Sequence, residues 1–252
     1  MKFIIVILLA HLIGPILFGK AKVTTDDWPW WRGLERNGIA HGKDYPVDWD
    51  TKKNVVWVTS IPGRGQSTPT VVADWVFLTT ADEKRQLQAV LCLNRSTGKL
   101  MWRRELHKGG FETEVHKKCS HATASVASDG ERIFAAFLNN KAIWLTCLDN
   151  KGKTIWQKKV CDFNSKFGYG ASPLIYENNV IVATDNQGGG FLTAYERRSG
   201  KVAWNMERQA TPSYSSPTVA TVAGRMQLLL SGADKISGYD PDTGKLLWSG
   251  RG

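Results

Sequence analysis

Thr97-Gly98-Lys99-Leu100-Met101-Trp102 returns three times along the chain. The later copies are Lys151-Gly152-Lys153-Thr154-Ile155-Trp156, Ser199-Gly200-Lys201-Val202-Ala203-Trp204 and Thr243-Gly244-Lys245-Leu246-Leu247-Trp248. Gly-Lys-x-x-Trp holds in every copy, and the tryptophans stand 54, 48 and 44 residues apart. A weaker relative, Lys52-Lys53-Asn54-Val55-Val56-Trp57, ends 45 residues before Trp102. A fixed period of this size marks stacked units that cannot bury their apolar faces alone.

The interior of each unit says what the unit is. Before the first copy lie PTVVA, WVFLTT and AVLCL; before the third, SPLIY, NVIVATD and FLTAY. The other two units carry TASVA, RIFAAFL and AIWLTCL, then SPTVATV, RMQLLLS and KISGY. These short runs are rich in Val, Ile, Leu, Thr and aromatics and are bounded by Gly, Asn, Asp or Pro, the pattern of strands and tight turns. With the Trp-bearing run, each unit has four strands. The period matches one blade of a β-propeller, and the chain reads as all-β. Blades are expected at about 66–106, 121–160, 169–207 and 214–250, with one extra N-terminal strand at Val55–Val58.

The repeated residues have a physical role in this reading. Gly98, Gly152, Gly200 and Gly244 close turns that need a positive φ. Trp102, Trp156, Trp204 and Trp248 follow at fixed distance on outer strands. Burying an indole stabilises by roughly 4–5 kcal/mol at most. A single blade cannot cover the ring, so it is expected to pack on a neighbour.

Composition bounds the rest. The chain has 252 residues, 42% hydrophobic, with 11 Trp and 9 Phe, which excludes disorder. Four Cys are too few for a disulfide scaffold. Lys2 and the apolar run from Phe3 to Gly19 lead to Gly19-Lys20-Ala21, the pattern of a signal peptide over residues 1–21. No Cys near its end supports a lipid anchor, and no later run is long enough to span a bilayer. Cleavage after Ala21 would lower the net charge from +10 to +8. Outside the cytoplasm such a balance suits anionic lipids or polymers better than nucleic acid, or simply solvates the surface. Residues 22–53 form an aromatic arm and 54–252 the repeats.

Several local patterns carry chemistry on paper. His116, Cys119 and His121 are metal-ligand types, but their spacing fits no zinc pattern and reads as a loop entering the second unit. Trp28, Trp30 and Trp31 could stack on a sugar or quinone, or bury in packing against the repeats. Gly63-Arg64-Gly65-Gln66-Ser67 lacks the Lys and helix of a phosphate loop and reads as a blade-to-blade turn. Gly188-Gly189-Gly190 reads as a hairpin turn, and Asn94-Arg95-Ser96 is a glycosylation sequon by pattern alone. Cys92 and Cys147 read as small buried residues, whereas Cys119 and Cys161 lie in connections and could pair. No Ser/His/Asp set or carboxylate pair can be placed, so no catalytic residue is named.

The stretches CLNRSTGKLMW, AYERRSGKVAW and GYDPDTGKLLW resemble the docking motif of the pyrroloquinoline-quinone (PQQ) repeat family; CLDNKGKTIW is one residue short. The opening WPWWRGLERNGIA is similar to exported PQQ-like propellers related to the assembly factor BamB. The resemblance covers about residues 50–250 and implies a ring of seven or eight blades. Some members hold PQQ and Ca²⁺ and oxidise alcohols; others keep the blades without the site. No Cys-Cys pair and no matching Ca²⁺ or base position is found here. The resemblance therefore implies a periplasmic or extracellular scaffold with a protein partner in the cell envelope. The alternative is a quinoprotein oxidoreductase, or a piece of one, with PQQ and Ca²⁺. Only four units fit the length, so an open arc with exposed edges is expected. Missing C-terminal blades would complete it, or else a second chain sharing the ring.

Overall fold

The structure, a computed structural model, describes residues 23–112, 115–164, 166–232 and 234–251. The signal-peptide expectation for residues 1–21 lies outside them. Sixteen strands form four sheets, each a four-stranded antiparallel meander in chain order. Blade one is β1 (Thr70–Val72), β2 (Trp75–Asp82), β3 (Leu87–Asn94) and β4 (Leu100–Lys108). Blade two is β5 (Ala127–Ser128), β6 (Arg132–Asn139), β7 (Ala142–Asp149) and β8 (Thr154–Asp162). Blade three is β9 (Leu174–Tyr176), β10 (Asn179–Ala183), β11 (Gly190–Glu196) and β12 (Val202–Arg208). Blade four is β13 (Thr218–Val222), β14 (Arg225–Gly232), β15 (Lys235–Tyr239) and β16 (Leu246–Arg251). The first strands of blades one, two and three touch in series, β1 to β5 and β5 to β9. The result is an open arc of a β-propeller.

The core lies between blades rather than within them. Phe77, Val90 and Cys92 of blade one pack on Ile133, Ala135 and Phe137 of blade two. Phe134, Leu145 and Trp156 of blade two meet Ile175, Val180 and Tyr195 of blade three. Leu192 and Trp204 of blade three meet Leu228, Leu230 and Tyr239 of blade four. Middle strands are therefore apolar on both faces: β3 and β6 are buried almost throughout. Outer strands such as β4 are largely exposed.

One register recurs. Trp102, Trp156, Trp204 and Trp248 stand opposite Cys92, Cys147, Ala194 and Gly238 on the neighbouring third strand. The partner is small each time, and a β-bulge follows it each time. A bulge adds twist and re-aims the strand, which turns the indole toward the next blade. This explains why Cys92 and Cys147 are fully buried thiols; burial pushes Cys92 up to about 12.

Among the described residues the expected extra strand at Val55–Val58 joins no sheet, and Val56 and Val58 are 87% and 83% exposed. A strand needs a ladder partner. Each other Trp-bearing strand has a third strand beside it, and among the described residues Val55–Val58 has none.

Candidate functional site

The glycines and tryptophans of the repeat meet across blades. Trp102 lies over Gly152, Trp156 over Gly200 and Trp204 over Gly244. A Cβ on Gly152 would stand 2.8 Å from the Trp102 ring, and one on Gly200 2.7 Å from Trp156. The four glycines Gly98, Gly152, Gly200 and Gly244 have φ of 68°, 77°, 67° and 72°. Each indole also donates its Nε1–H to a carbonyl of the same turn: Trp102 to Asn150 at 2.9 Å, Trp156 to Arg197 at 3.1 Å, Trp204 to Pro241 at 3.2 Å. Trp57 repeats this geometry over Gly98 and donates to the Arg95 carbonyl at 2.8 Å. Trp248 differs: it is 38% exposed and donates to Gln227 of its own blade.

A second chain of contacts runs along the inner strands. Thr68 N–H donates to Ser125 Oγ at 2.8 Å, Ser125 N–H to Ser172 Oγ at 3.0 Å, and Ser172 N–H to Ser216 Oγ at 2.8 Å. Each hydroxyl receives a backbone donor of the preceding blade that would otherwise be left bare. Sequence reasoning missed this ladder. Its signal is a Ser or Thr just before the first strand of each unit, followed by Pro69, Val126, Pro173 or Pro217.

The aromatic arm lies against these inner strands. Trp28 pairs with Val71 in a two-way backbone bridge, and Ser128 N–H donates to the Pro29 carbonyl at 2.8 Å. Trp30 is buried between blades two and three, with the Arg36 guanidinium 4.3 Å from its ring centroid. Arg36 in turn donates to the Ile175 carbonyl of β9 at 2.7 Å, and burial lowers its pKa to about 10 against the raising effect of Glu35. Of the two expectations for this arm, packing describes Trp30 and, in part, Trp28. Trp31 is 44% exposed. With Arg32, Gln66, Thr123, Tyr214 and Ser231, it lines an axial cleft of about 580 Å³ that Ser125, Ser172 and Ser216 of the ladder also line.

The other sequence candidates fall elsewhere. His116 stands exposed in the loop between β4 and β5. His121 is stacked on Phe111 at 4.1 Å, with Nε2 at 3.0 Å from the Glu112 carbonyl. Cys119 and Cys161 are both free thiols, which corrects the proposed pairing. Cys119 sits in a turn closed on the His116 carbonyl, whereas Cys161 ends β8 against the core of blades two and three. Arg64 of the glycine-rich stretch bridges Ala81 within its own blade. Gly188 to Gly190 turn from β10 into β11. The Asn94 amide oxygen accepts from Ser96 and Thr97 inside its turn.

Among the described residues no group of three His, Cys, Asp or Glu stands together as a metal site. The three buried carboxylates are engaged: Asp27 by the Thr24 and Ala73 N–H groups, Asp129 by Arg197, and Asp185 by Arg208 at 2.6 and 2.9 Å.

Residues 86–251 match the family model described as outer membrane protein assembly factor BamB. The chain belongs to this family. Curated relatives on both sides of its functional range are similar. The assembly factor BamB of Yersinia pestis is 26% identical over 77% of this chain and 45% of its own length. The quinoprotein alcohol dehydrogenase PedH of Pseudomonas putida is 28% identical over 67% of this chain and 29% of its own. A polyvinylalcohol dehydrogenase of a Pseudomonas species is 24% identical over 94% and 43%. The chain spans less than half the length of each of these relatives. In fold it is similar to BamB of Moraxella catarrhalis, with a TM-score of 0.55 at 15% identity, covering 80% of this chain and 56% of that one. A europium-containing methanol dehydrogenase has a TM-score of 0.62 at 15% identity, covering 90% and 49%. Among the described residues no helix is long and apolar enough to cross a membrane.

Proposed function

We propose that this chain is an exported, non-catalytic β-propeller acting as a binding or assembly scaffold in the cell envelope. The observation that carries the reading is how the axial residues are used. The Ser125, Ser172 and Ser216 hydroxyls accept backbone N–H groups of neighbouring blades, and Trp30 is part of the core. These axial residues have a role in joining blades that needs no cofactor. The reading assigns Gly98, Gly152, Gly200 and Gly244 and the tryptophans Trp102, Trp156 and Trp204 to docking between blades, not to chemistry; Trp248, expected to dock likewise, turns instead to Gln227 of its own blade. It takes residues 1–21 as a cleaved leader, 22–53 as the arm and 54–252 as the propeller. With that leader removed the net charge is +8, which suits an acidic partner.

Cross-linking in an envelope fraction tests this directly: a specific protein partner is expected, and recovery of none under mild conditions would count against it. Similarity to alcohol dehydrogenases favours a second reading, a quinoprotein oxidoreductase or part of one. Under the scaffold reading, purified protein given PQQ and Ca²⁺ retains no quinone absorbance and reduces no dye with an alcohol; retention with turnover would reverse the assignment.

A further inference from the structure

The loops that join successive blades each present a ring. His116 lies between β4 and β5, Phe167 between β8 and β9, and Tyr214 between β12 and β13. They meet in series. The His116 and Phe167 centroids are 5.6 Å apart at 85°, and Phe167 and Tyr214 are 6.5 Å apart at 52°. All are exposed, Phe167 by 42% and Tyr214 by 44%. Tyr214 then shares the axial cleft with the exposed Trp31. Four rings from four separate parts of the chain thus form one solvent-facing track leading inward. None belongs to the Gly-Lys-x-x-Trp repeat.

Cations accompany the rings. Lys117 and Lys118 follow His116, and Lys166 holds its Nζ 5.8 Å from the Phe167 centroid. Arg32 adjoins Trp31 on the cleft wall. Past the rings the cleft offers neutral hydrogen-bonding groups on Gln66 and Ser231. Exposed apolar rings arrayed along a surface mark a binding site, and interleaved cations set the charge of what binds.

We propose that this track binds an acidic polysaccharide. Sugar rings lie with their C–H faces on Phe167, Tyr214 and Trp31, carboxylates pair with Lys117, Lys118, Lys166 and Arg32, and hydroxyls bond in the cleft. The ring planes argue against single-stranded nucleic acid. Successive bases stack in parallel on aromatic platforms, whereas these planes turn by 85° and 52° between neighbours. A saccharide chain turns its units and has no such requirement. The track is defined by its own rings and cations, so it holds or fails independently of the scaffold reading.

The test is calorimetric titration of the full chain with a uronic-acid hexasaccharide, a neutral glucose hexasaccharide and an oligothymidylate, at low and moderate salt. Saturable, salt-sensitive binding of the uronic-acid probe is expected, with the neutral probe much weaker. Phe167→Ala and Tyr214→Ala should each weaken it about tenfold, the scale of a lost ring contact, with unfolding midpoints unchanged. Lys117→Ala should weaken binding and reduce the salt dependence, while Lys245→Ala, outside the track, should leave it intact. No saturable binding, equal affinity for the neutral probe, tighter oligothymidylate binding, or indifference to Phe167→Ala would each overturn the proposal.

Discussion

The pairing of one indole with one glycine is the smallest unit that explains this fold. A side chain at Gly200 would meet two obstacles, a φ of 67° and the Trp156 ring 2.7 Å from its Cβ. Gly224 has a φ of 76° but nothing within 4 Å of a built Cβ. Gly224→Ala should therefore cost only the backbone strain, about 1 kcal/mol. Gly200→Ala should cost more by the displaced ring, and matched denaturant midpoints would refute the contact. Trp156→Ala or Trp204→Ala should destabilise by about 3–5 kcal/mol. Trp248→Ala should cost less, about 1–3 kcal/mol, because that ring is 38% exposed and lies only on Gly238 and Gln227 of its own blade. Spacing alone identified these residues, since turn chemistry and one large apolar ring are local signals. That each ring rests on the glycine of the following copy is a relation between distant segments, and no single window of sequence contains it.

Among the elements, the strands were legible because their composition and turns repeat. The inner ladder was not, because Ser before Pro also reads as an ordinary turn. Ser172 receives the Ser125 N–H and is buried, so Ser172→Ala leaves a donor bare. The expected cost is about 1–3 kcal/mol, read as a lower urea midpoint, and an unchanged midpoint would show that water replaces the hydroxyl. Cys119 and Cys161 show the opposite failure. Reading both as connections allowed a bridge on paper, but Cys161 belongs to β8 and packs against the core, while Cys119 stays in the turn between β4 and β5. The run at Val55–Val58 had the pattern of a strand, yet pairing is a property of two segments, and the pattern described only one.

On the scale of the whole molecule, stability depends on the surfaces between blades, and one of them holds a titratable group. His107 of β4 stands 6.0 Å from the rings of Phe137 and Trp144 of blade two. Burial lowers its pKa from the usual 6.5 to about 4. The unfolded chain therefore binds the proton more readily, and stability should fall as pH drops from about 6.5 to about 4 and then level off. The loss should be on the order of 2 kcal/mol after partial solvent screening. Thermal midpoints across that window check it, and His107→Gln should flatten the curve; an acid response identical in both proteins would place its origin elsewhere.

The two ends of the arc are unequal. Trp57 is seated over Gly98 and bonded to Arg95, while Trp248 reaches only Gln227 of its own sheet. In stacked-unit proteins each unit is held by its neighbours, and loss begins where a neighbour is lacking. Amide exchange should be fastest in β13 to β16, slower in blade one and slowest in blades two and three. Uniform exchange across all four blades would mean that the arc opens as one body.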